Sequence, residues 1–285
     1  MDLRNQSGSI LALRTRREHA GALAETLRAR FELEPVEVGV PESPCVFLEL
    51  YLPDGAAAER IAAAAADLPG ILKSSVRHYE ARDWAESWKH HFRAADIGRR
   101  LRVAPPWEAG SGPAERIEVI VNPGLSFGTG LHFTTRFCLE SLEDAAARFP
   151  GCGFADLGTG SGVLAVAAAR LGFRPVLGTD YDPQCIESAR DNAARNGVER
   201  ALALQVHELG RDGPLPRHEV VCANILSSVL LRCAPQLKAL TGSLLILSGI
   251  REEEIDRVSA AFYALGAQEE VRDGDGRWAG LIMRF

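Results

Sequence analysis

The first 80 residues switch repeatedly between two hydrophobic periods, one typical of strands and the other typical of helices. Strand-like alternation of apolar and polar side chains occurs at residues 9–16, 35–40, 45–52 and 72–80. Helical spacing occurs at residues 18–31 and 54–68, and Asp54 is placed to cap the second helix. The order βαββαβ predicts a small ferredoxin-like α+β domain over residues 1–80.

A stripe of aromatic side chains follows this domain. Trp84, Trp88 and either His91 or Phe92 recur at helical spacing, which predicts a connecting helical linker over residues 81–97. We expect the stripe to pack against a neighbouring domain, because apolar rings at this spacing usually mark a buried helix face. Direct contact of these rings with a substrate is the alternative.

The remaining segment, residues 98–285, mostly alternates strands with helices. Strands are predicted at residues 99–107, 115–124, 153–158, 175–180, 201–208, 219–225, 242–250, 267–274 and 278–285. One helix is predicted to begin at residue 134. Four more are predicted at residues 162–172, 183–197, 233–240 and 252–267. This alternation predicts a Rossmann-like α/β domain with a doubly wound, mainly parallel sheet, which binds ligands at the carboxyl ends of its strands.

Composition and charge restrict the partners of this fold. The 285 residues are 46% hydrophobic and 25% charged, and the formal net charge is −6. The first 80 residues hold nine basic and twelve acidic side chains. The strand at 45–52 also lacks the basic-Gly-aromatic signature of RNA-recognition domains. We therefore expect no direct nucleic-acid binding.

The sequence also bears on location and metal content. It contains no apolar run of about 18 residues and no secretory signal, so we expect a cytoplasmic protein without a membrane span. The six cysteines show no C-x-x-C spacing, which favours reduced core residues over a metal or redox site. His132 has no second ligand at helical spacing, so we expect no metal there either.

The strongest local pattern is a glycine-rich turn between a strand and a helix, Asp156-Leu157-Gly158-Thr159-Gly160-Ser161-Gly162. Glycines at such a turn let a ligand approach the backbone without a Cβ clash. A dinucleotide fingerprint would need a glycine at position 163, which is Val163. The D-x-G-x-G-x-G spacing instead resembles the first motif of class I methyltransferases. A tight turn that binds no ligand is the alternative.

Three further segments place polar side chains where such a sheet would bind a cofactor. Asp180 ends the next strand, where a carboxylate accepts hydrogen bonds from a ribose diol, and Asp182 before Pro183 is expected to cap the following helix. Thr134 and Thr135 start a helix, where their hydroxyls either cap it or donate to a ligand carboxylate. Asn224 ends the strand across the switch point. A solvated acid at Asp180 and a loop-start amide at Asn224 are the alternatives.

Together these segments resemble the ribosomal protein L11 methyltransferase family (PrmA) over most of the chain. The most specific part is NPGLSFGTGLHFTT at residues 122–135, which is similar to the family's DPGLAFGTGTHPTT, and DLGTGSG, ANIL and LLILSGI follow in the same order. The linker residues DWAESWKHHF and the segment GRRLRVAPPW also match. Asn122, Leu131 and Phe133 depart from the family pattern, which puts the substrate in doubt rather than the chemistry.

The resemblance implies S-adenosylmethionine as cofactor, bound by residues that include Thr135, Gly158, Gly160, Asp180 and Asn224. It implies a monomeric enzyme whose N-terminal domain holds a large-subunit ribosomal protein and whose linker lets the two domains reorient. It also implies methyl transfer to lysine ε-amines and to an N-terminal α-amine. The sequence assigns no general base.

Three other functions remain open at this point. The first is a class I methyltransferase with another target, such as a different protein lysine or a small amine. The second is a nucleotide-dependent oxidoreductase, which Val163 disfavours. The third is a binding module without catalysis.

Overall fold

The computed structural model describes residues 8–31, 33, 35–39, 43–79, 93–122 and 132–285. Its chain divides into two compact units, Met1–His91 and Phe92–Phe285. The stripe of Trp84, Trp88, His91 and Phe92 lies outside the described residues, as do residues 123–131 of the glycine-rich loop.

The first unit is an antiparallel sheet with two helices. Its strands are β1 (Gly8–Arg16), β2 (Val36–Val38), β3 (Cys45–Leu52) and β4 (Ile71–Tyr79). Its helices are α1 (Arg17–Phe31) and α2 (Gly55–Ala65). The strand order β2-β3-β1-β4 is that of a ferredoxin-like fold, which confirms the predicted βαββαβ pattern.

One face of this sheet carries the unit's core, because side chains alternate between the two faces of a strand. Leu11 and Leu13 of β1 and Leu48 and Leu50 of β3 are buried against Leu27 of α1 and other helix side chains. The Asp54 carboxylate accepts a hydrogen bond from the Ala57 amide at 2.7 Å, so the predicted cap of α2 is confirmed.

The second unit begins with a three-stranded sheet formed by β5 (Ala95–Ile97), β6 (Leu101–Ala104) and β7 (Ile117–Ile120). The prediction of a helix over residues 81–97 is therefore wrong at its C-terminal end, where residues 95–97 form a strand. Ala95–Ile97 pairs with Leu101–Val103, Ile97 is fully buried, and Asp96 forms ion pairs with Arg102 and Arg116. These contacts outweigh the helical preference of the local sequence.

A buried carboxylate fixes this sheet to the next helix, α3 (Phe133–Arg148). Glu143 of α3 accepts hydrogen bonds from the backbone amides of Arg99, Arg100 and Leu101, each at 2.8 Å. Hydrogen bonds to an ionised acceptor in a buried setting are among the stronger ones in proteins. The turn between β5 and β6 is therefore held directly against α3.

The central sheet of this unit has seven strands: β8 (Phe154–Leu157), β9 (Val176–Asp180), β10 (Leu202–Val206), β11 (His218–Asn224), β12 (Thr241–Arg251), β13 (Gln268–Gly274) and β14 (Trp278–Arg284). Their order is β10-β9-β8-β11-β12-β14-β13. The first five strands run parallel, and β14 is antiparallel to both of its neighbours. The chain order reverses between β8 and β11, where a ligand site is expected.

Helices cover both faces of this sheet. They are α4 (Val163–Leu171), α5 (Pro183–Arg195), α6 (Ser227–Arg232), α7 (Ala234–Leu240) and α8 (Ile255–Tyr263). Side chains of α3, α4 and α5 pack on one face, and side chains of α6, α7 and α8 pack on the other. The doubly wound, mainly parallel α/β prediction is confirmed, whereas α6 was not predicted. Among the described residues, the helices are too short or too polar to cross a bilayer.

We expect Glu143→Gln to destabilise the second unit by about 2–3 kcal/mol, because an amide offers one acceptor oxygen where the buried carboxylate takes three backbone donors. Chemical denaturation followed by circular dichroism measures the change. Asp144→Asn is the matched control, since the Asp144 carboxylate pairs with Arg99 but its side chain is 65% exposed. Equal effects of the two substitutions would contradict the role given to Glu143.

Candidate cofactor and methyl-transfer site

The glycine-rich turn between β8 and α4 requires glycine for two physical reasons. Gly158, Gly160 and Gly162 have φ of 78°, 53° and 80°, in the left-handed region that other residues rarely adopt. A Cβ on Gly158 would collide with the Ile225 side chain, and one on Gly162 would lie 2.8 Å from the Ala189 Cβ. The predicted turn is present, and glycine lets Ile225 and Ala189 pack directly against its backbone.

Asp156 organises this turn from beneath. Its side chain is fully buried, and Oδ2 accepts hydrogen bonds from the Thr159 hydroxyl at 2.7 Å and the Ala165 amide at 3.2 Å. Oδ1 is also buried and has no hydrogen-bond partner among the described residues. Burial raises the pKa of this carboxyl to about 7. Asp156 therefore supports the turn through Oδ2 and keeps a buried oxygen, Oδ1, unpartnered within the described part of the chain, which favours the protonated carboxyl.

Asp180 lies at the carboxyl end of β9 and is 7% exposed. Its Oδ2 accepts from the Gly160 amide at 2.9 Å, and its Oδ1 accepts from the Asp182 amide at 3.0 Å. A carboxylate has about four acceptor positions, so each oxygen retains one for a ligand hydroxyl. Asp182 accepts from the Gln184 amide at 2.8 Å, which confirms it as the cap of α5.

The start of α3 differs in one respect from the prediction. The helix begins at Phe133, and its N-cap is the His132 ring, whose Nδ1 accepts from the Thr134 amide at 3.4 Å. The threonine hydroxyls do not cap the helix, because Thr134 and Thr135 lie inside its first turn, where both are buried. Thr134 Oγ1 instead lies 2.8 Å from His132 Nδ1.

Asn224 ends β11 beside this helix start. Its side-chain nitrogen, Nδ2, donates to Thr134 Oγ1 at 3.5 Å. The last residues of β8, β9 and β11 lie at the same edge of the sheet, since the three strands are parallel. The structure thus brings Gly158, Asp180 and Asn224 to one edge, and the bond to Thr134 places α3 there too.

Asn122, a departure from the family pattern, is tied to the same region. Its backbone amide donates to the Asn192 side-chain oxygen at 2.9 Å, and the Asn192 side-chain nitrogen donates to the Ser161 carbonyl at 2.9 Å. Asn192 therefore joins the start of the 122–131 loop to the glycine-rich turn. Among the other two departures, Phe133 stacks on Phe137 at 6.2 Å between ring centroids, and Leu131 lies outside the described residues.

Two aromatic residues at this edge, Tyr181 and Trp278, were not predicted from the sequence. Tyr181, directly after Asp180, has a 73% exposed side chain, and its position next to a candidate acid was an available signal. Trp278 packs edge-on against His132, with ring centroids 5.3 Å apart, and the Arg251 guanidinium lies 5.6 Å from the Trp278 ring centre. No local sequence pattern links Trp278 to the site.

The hydrogen-bonding groups at this edge match those that S-adenosylmethionine presents. The free acceptor positions of Asp180 match a ribose diol, and the buried Asp156 supports the glycine-rich turn through the Thr159 hydroxyl and the Ala165 amide. A Cβ-free, left-handed turn lies between them. The doubly wound sheet with this site at its switch point has the architecture of class I S-adenosylmethionine-dependent methyltransferases.

Comparison with known proteins narrows the class. The family model described as "Ribosomal protein L11 methyltransferase (PrmA)" matches residues 23–285. The chain therefore belongs to the ribosomal protein L11 methyltransferase family.

Individual relatives carry the same family description. Over 249 residues the chain is 39% identical to a ribosomal protein L11 methyltransferase of Syntrophotalea carbinolica, which covers 83% of this chain and 80% of the relative. A relative from Ectopseudomonas mendocina is 44% identical over 189 residues, or 66% of this chain and 63% of its own length. The crystal structure of a ribosomal protein L11 methylase from Lactobacillus delbrueckii subsp. bulgaricus matches with a TM-score of 0.61 at 33% identity, covering 67% of this chain and 98% of that one.

We expect Asp156→Asn to remove a pH dependence of stability. The pKa of Asp156 rises from 3.8 to about 7 on folding, so the unfolded chain loses this proton first and wild-type stability falls as pH rises between those values. Between pH 5 and pH 8, the free energy of unfolding of the wild type should drop relative to the variant by about 2–3 kcal/mol. Denaturation at both pH values measures it, and parallel changes would refute the assignment.

We expect Asp180→Ala to weaken binding of S-adenosylhomocysteine by about 100-fold, because two hydrogen bonds to a charged acceptor are lost. Isothermal titration calorimetry gives the affinity. Asp182→Asn is the matched control, since asparagine caps a helix as well as aspartate does. Undiminished binding by Asp180→Ala would remove this residue from the cofactor site.

Proposed function

We propose that this protein transfers methyl groups from S-adenosylmethionine to lysine ε-amines and to the N-terminal α-amine of ribosomal protein L11. One observation carries the proposal: Gly158, Asp180 and Asn224 converge at one sheet edge in a chain that belongs to the L11 methyltransferase family. No residue of the second unit has to form a covalent intermediate for this chemistry, because an amine attacks a methyl sulfonium directly.

The cofactor contacts follow from the geometry of the site. We assign the backbone of Gly158 and Gly160 to close approach of the cofactor, and the Asp180 carboxylate to its ribose hydroxyls. Thr135, buried in the first turn of α3, is assigned to the cofactor's carboxylate end, since helix N-termini favour negative charge. Asn224 is assigned to the side where the methyl group is transferred.

The protein's part in the chemistry is to bind the cofactor and the substrate amine, to orient them and to favour the deprotonated amine. When bound, S-adenosylmethionine supplies a methyl group on a positively charged sulfur. A lysine amine has a pKa of about 10.4 in water, so the site must favour its neutral form before it reacts. Partial burial beside uncharged groups such as Trp278 and neutral His132 does so, since desolvation lowers the pKa of an amine. Orientation of the reactants supplies several kcal/mol more.

We assign binding of the ribosomal protein to the N-terminal ferredoxin-like domain, residues 1–80. The net charge of −6 suits a basic protein partner. The same proposal includes a monomer that acts in the cytoplasm and does not bind nucleic acid directly.

Methyl transfer to purified recombinant ribosomal protein L11, followed by mass spectrometry of its peptides, tests this function. We expect methyl groups on lysines and on the N-terminal amine, and a loss of turnover or of cofactor affinity in Asn224→Ala. A substrate with an acetylated N-terminus serves as control and should lose only the terminal methyl groups.

Two outcomes would contradict the proposal in different ways. If S-adenosylhomocysteine binds but L11 stays unmodified, labelling of another protein in a whole-cell lysate would identify a different target. If the wild-type protein does not bind S-adenosylhomocysteine, the methyltransferase function itself is excluded.

A further inference from the structure

Three side chains form a continuous set of hydrogen bonds at the sheet edge, here called the relay: His132, Thr134 and Asn224. His132 Nδ1 lies 2.8 Å from Thr134 Oγ1 and accepts from the Thr134 backbone amide at 3.4 Å. Asn224 Nδ2 lies 3.5 Å from the same Oγ1. The relay joins the cap of α3 to the end of β11, which are distant in sequence.

The direction of each bond in the relay follows from its donors. Nδ1 accepts a backbone N–H, so it carries no proton, and the neutral ring holds its proton on Nε2. The Thr134 hydroxyl must then donate to Nδ1. Oγ1 is left to accept, and it does so from the amide nitrogen of Asn224. The relay therefore decides which end of the Asn224 amide faces Thr134 and leaves its oxygen, Oδ1, pointing elsewhere.

We propose that His132 and Thr134 are positioning residues that orient Asn224 so that its Oδ1 accepts a hydrogen bond from the substrate amine, an inference that rests on the proposed function. An oxygen that accepts an amine N–H directs the nitrogen lone pair away from itself. The lone pair forms the new N–C bond while the methyl C–S bond breaks with its electron pair on sulfur. The product ammonium then releases a proton to water.

The proposed role of Asn224 predicts different effects on the first, second and third methyl transfers. A primary amine has two N–H groups and a monomethylated amine has one, so both can donate to Asn224 Oδ1. A dimethylated amine has none. Misorientation of Asn224 should therefore slow the first and second transfers and affect the third much less. A loss of overall site structure would slow all three alike.

The relay also responds to pH. His132 is neutral near pH 7, because burial lowers its pKa, with Arg277 acting in the same direction and Asp275 opposing both. The N-terminus of α3, which His132 caps, further disfavours a positive ring. Trp278 packs against the ring, and Arg251 lies over Trp278. A proton added at Nδ1 turns this acceptor into a donor, so the orientation of Asn224 is lost as pH falls through the lowered pKa.

The first test compares Thr134→Val with Thr134→Ser. Valine keeps the shape of threonine but removes the hydroxyl, whereas serine keeps the hydroxyl. For Thr134→Val we expect kcat for the first methyl transfer to fall about 10- to 100-fold, with the third transfer reduced much less. Thr134→Ser should recover most of the lost rate. Time-resolved mass spectrometry of mono-, di- and trimethylated product gives each step.

The second test uses His132→Asn. An asparagine oxygen can cap α3 and accept from Thr134 in place of Nδ1, but it does not titrate. Below the His132 pKa of the wild type, a plot of log kcat/KM against pH should have a slope near two, because both the substrate amine and His132 become protonated. In the variant the slope should stay near one.

Failure of the proposed relay can be distinguished from failure of the proposed function. Binding of S-adenosylhomocysteine, measured by calorimetry, should persist in all three variants, and wild-type methylation of ribosomal protein L11 tests the function itself. If the wild type is active, equal slowing of all three transfers in Thr134→Val would overturn the relay. A slope near two in His132→Asn would overturn the pH link.

Discussion

The candidate site depends on the close packing of three chain segments at the sheet's switch point. Ile225, which follows β11, lies between two glycines with positive φ, Gly158 after β8 and Gly249 in β12. A Cβ on Gly158 would meet the Ile225 side chain, and a Cβ on Gly249 would lie 2.5 Å from the Ile225 carbonyl oxygen. Because neither glycine has a side chain, Asn224 is held close to the glycine-rich turn.

Buried carboxylates then fix the elements around this contact. Asp156 holds the inside of the turn, Asp180 joins the turn to the end of β9, and Glu143 holds α3 against the first small sheet. Each accepts at least one backbone N–H, which offsets the cost of burying its polar atoms. The backbone around the site is therefore positioned before a ligand binds, as precise binding of a reactive cofactor requires.

The proposed cofactor contacts and the proposed relay involve different parts of the site. The glycine-rich turn and Asp180 are assigned to the cofactor, whereas His132, Thr134 and Asn224 are hydrogen-bonded to one another on the other side of the switch point and are proposed to orient the amine. Trp278 and Arg251 come from strands at the other side of β11 and complete that wall. The two proposals together predict that cofactor binding and amine orientation can be altered separately by substitution.

Local patterns in the sequence determined much of this protein. The glycine spacing after Asp156, the acid at the end of a buried strand and the caps Asp54 and Asp182 were predictable, since each depends on residues within a few positions. The alternation of strands and helices likewise predicted the doubly wound sheet.

Tertiary structure alone decided the contacts between segments that are distant in the chain. The strand Ala95–Ile97 forms because β6 pairs with it, and His132 caps α3 where two threonines offered equally suitable local chemistry. Trp278 reaches His132 only because β14 lies next to β12 in the sheet. The sequence specifies such contacts through packing and strand order, which depend on the whole domain rather than on any local spacing.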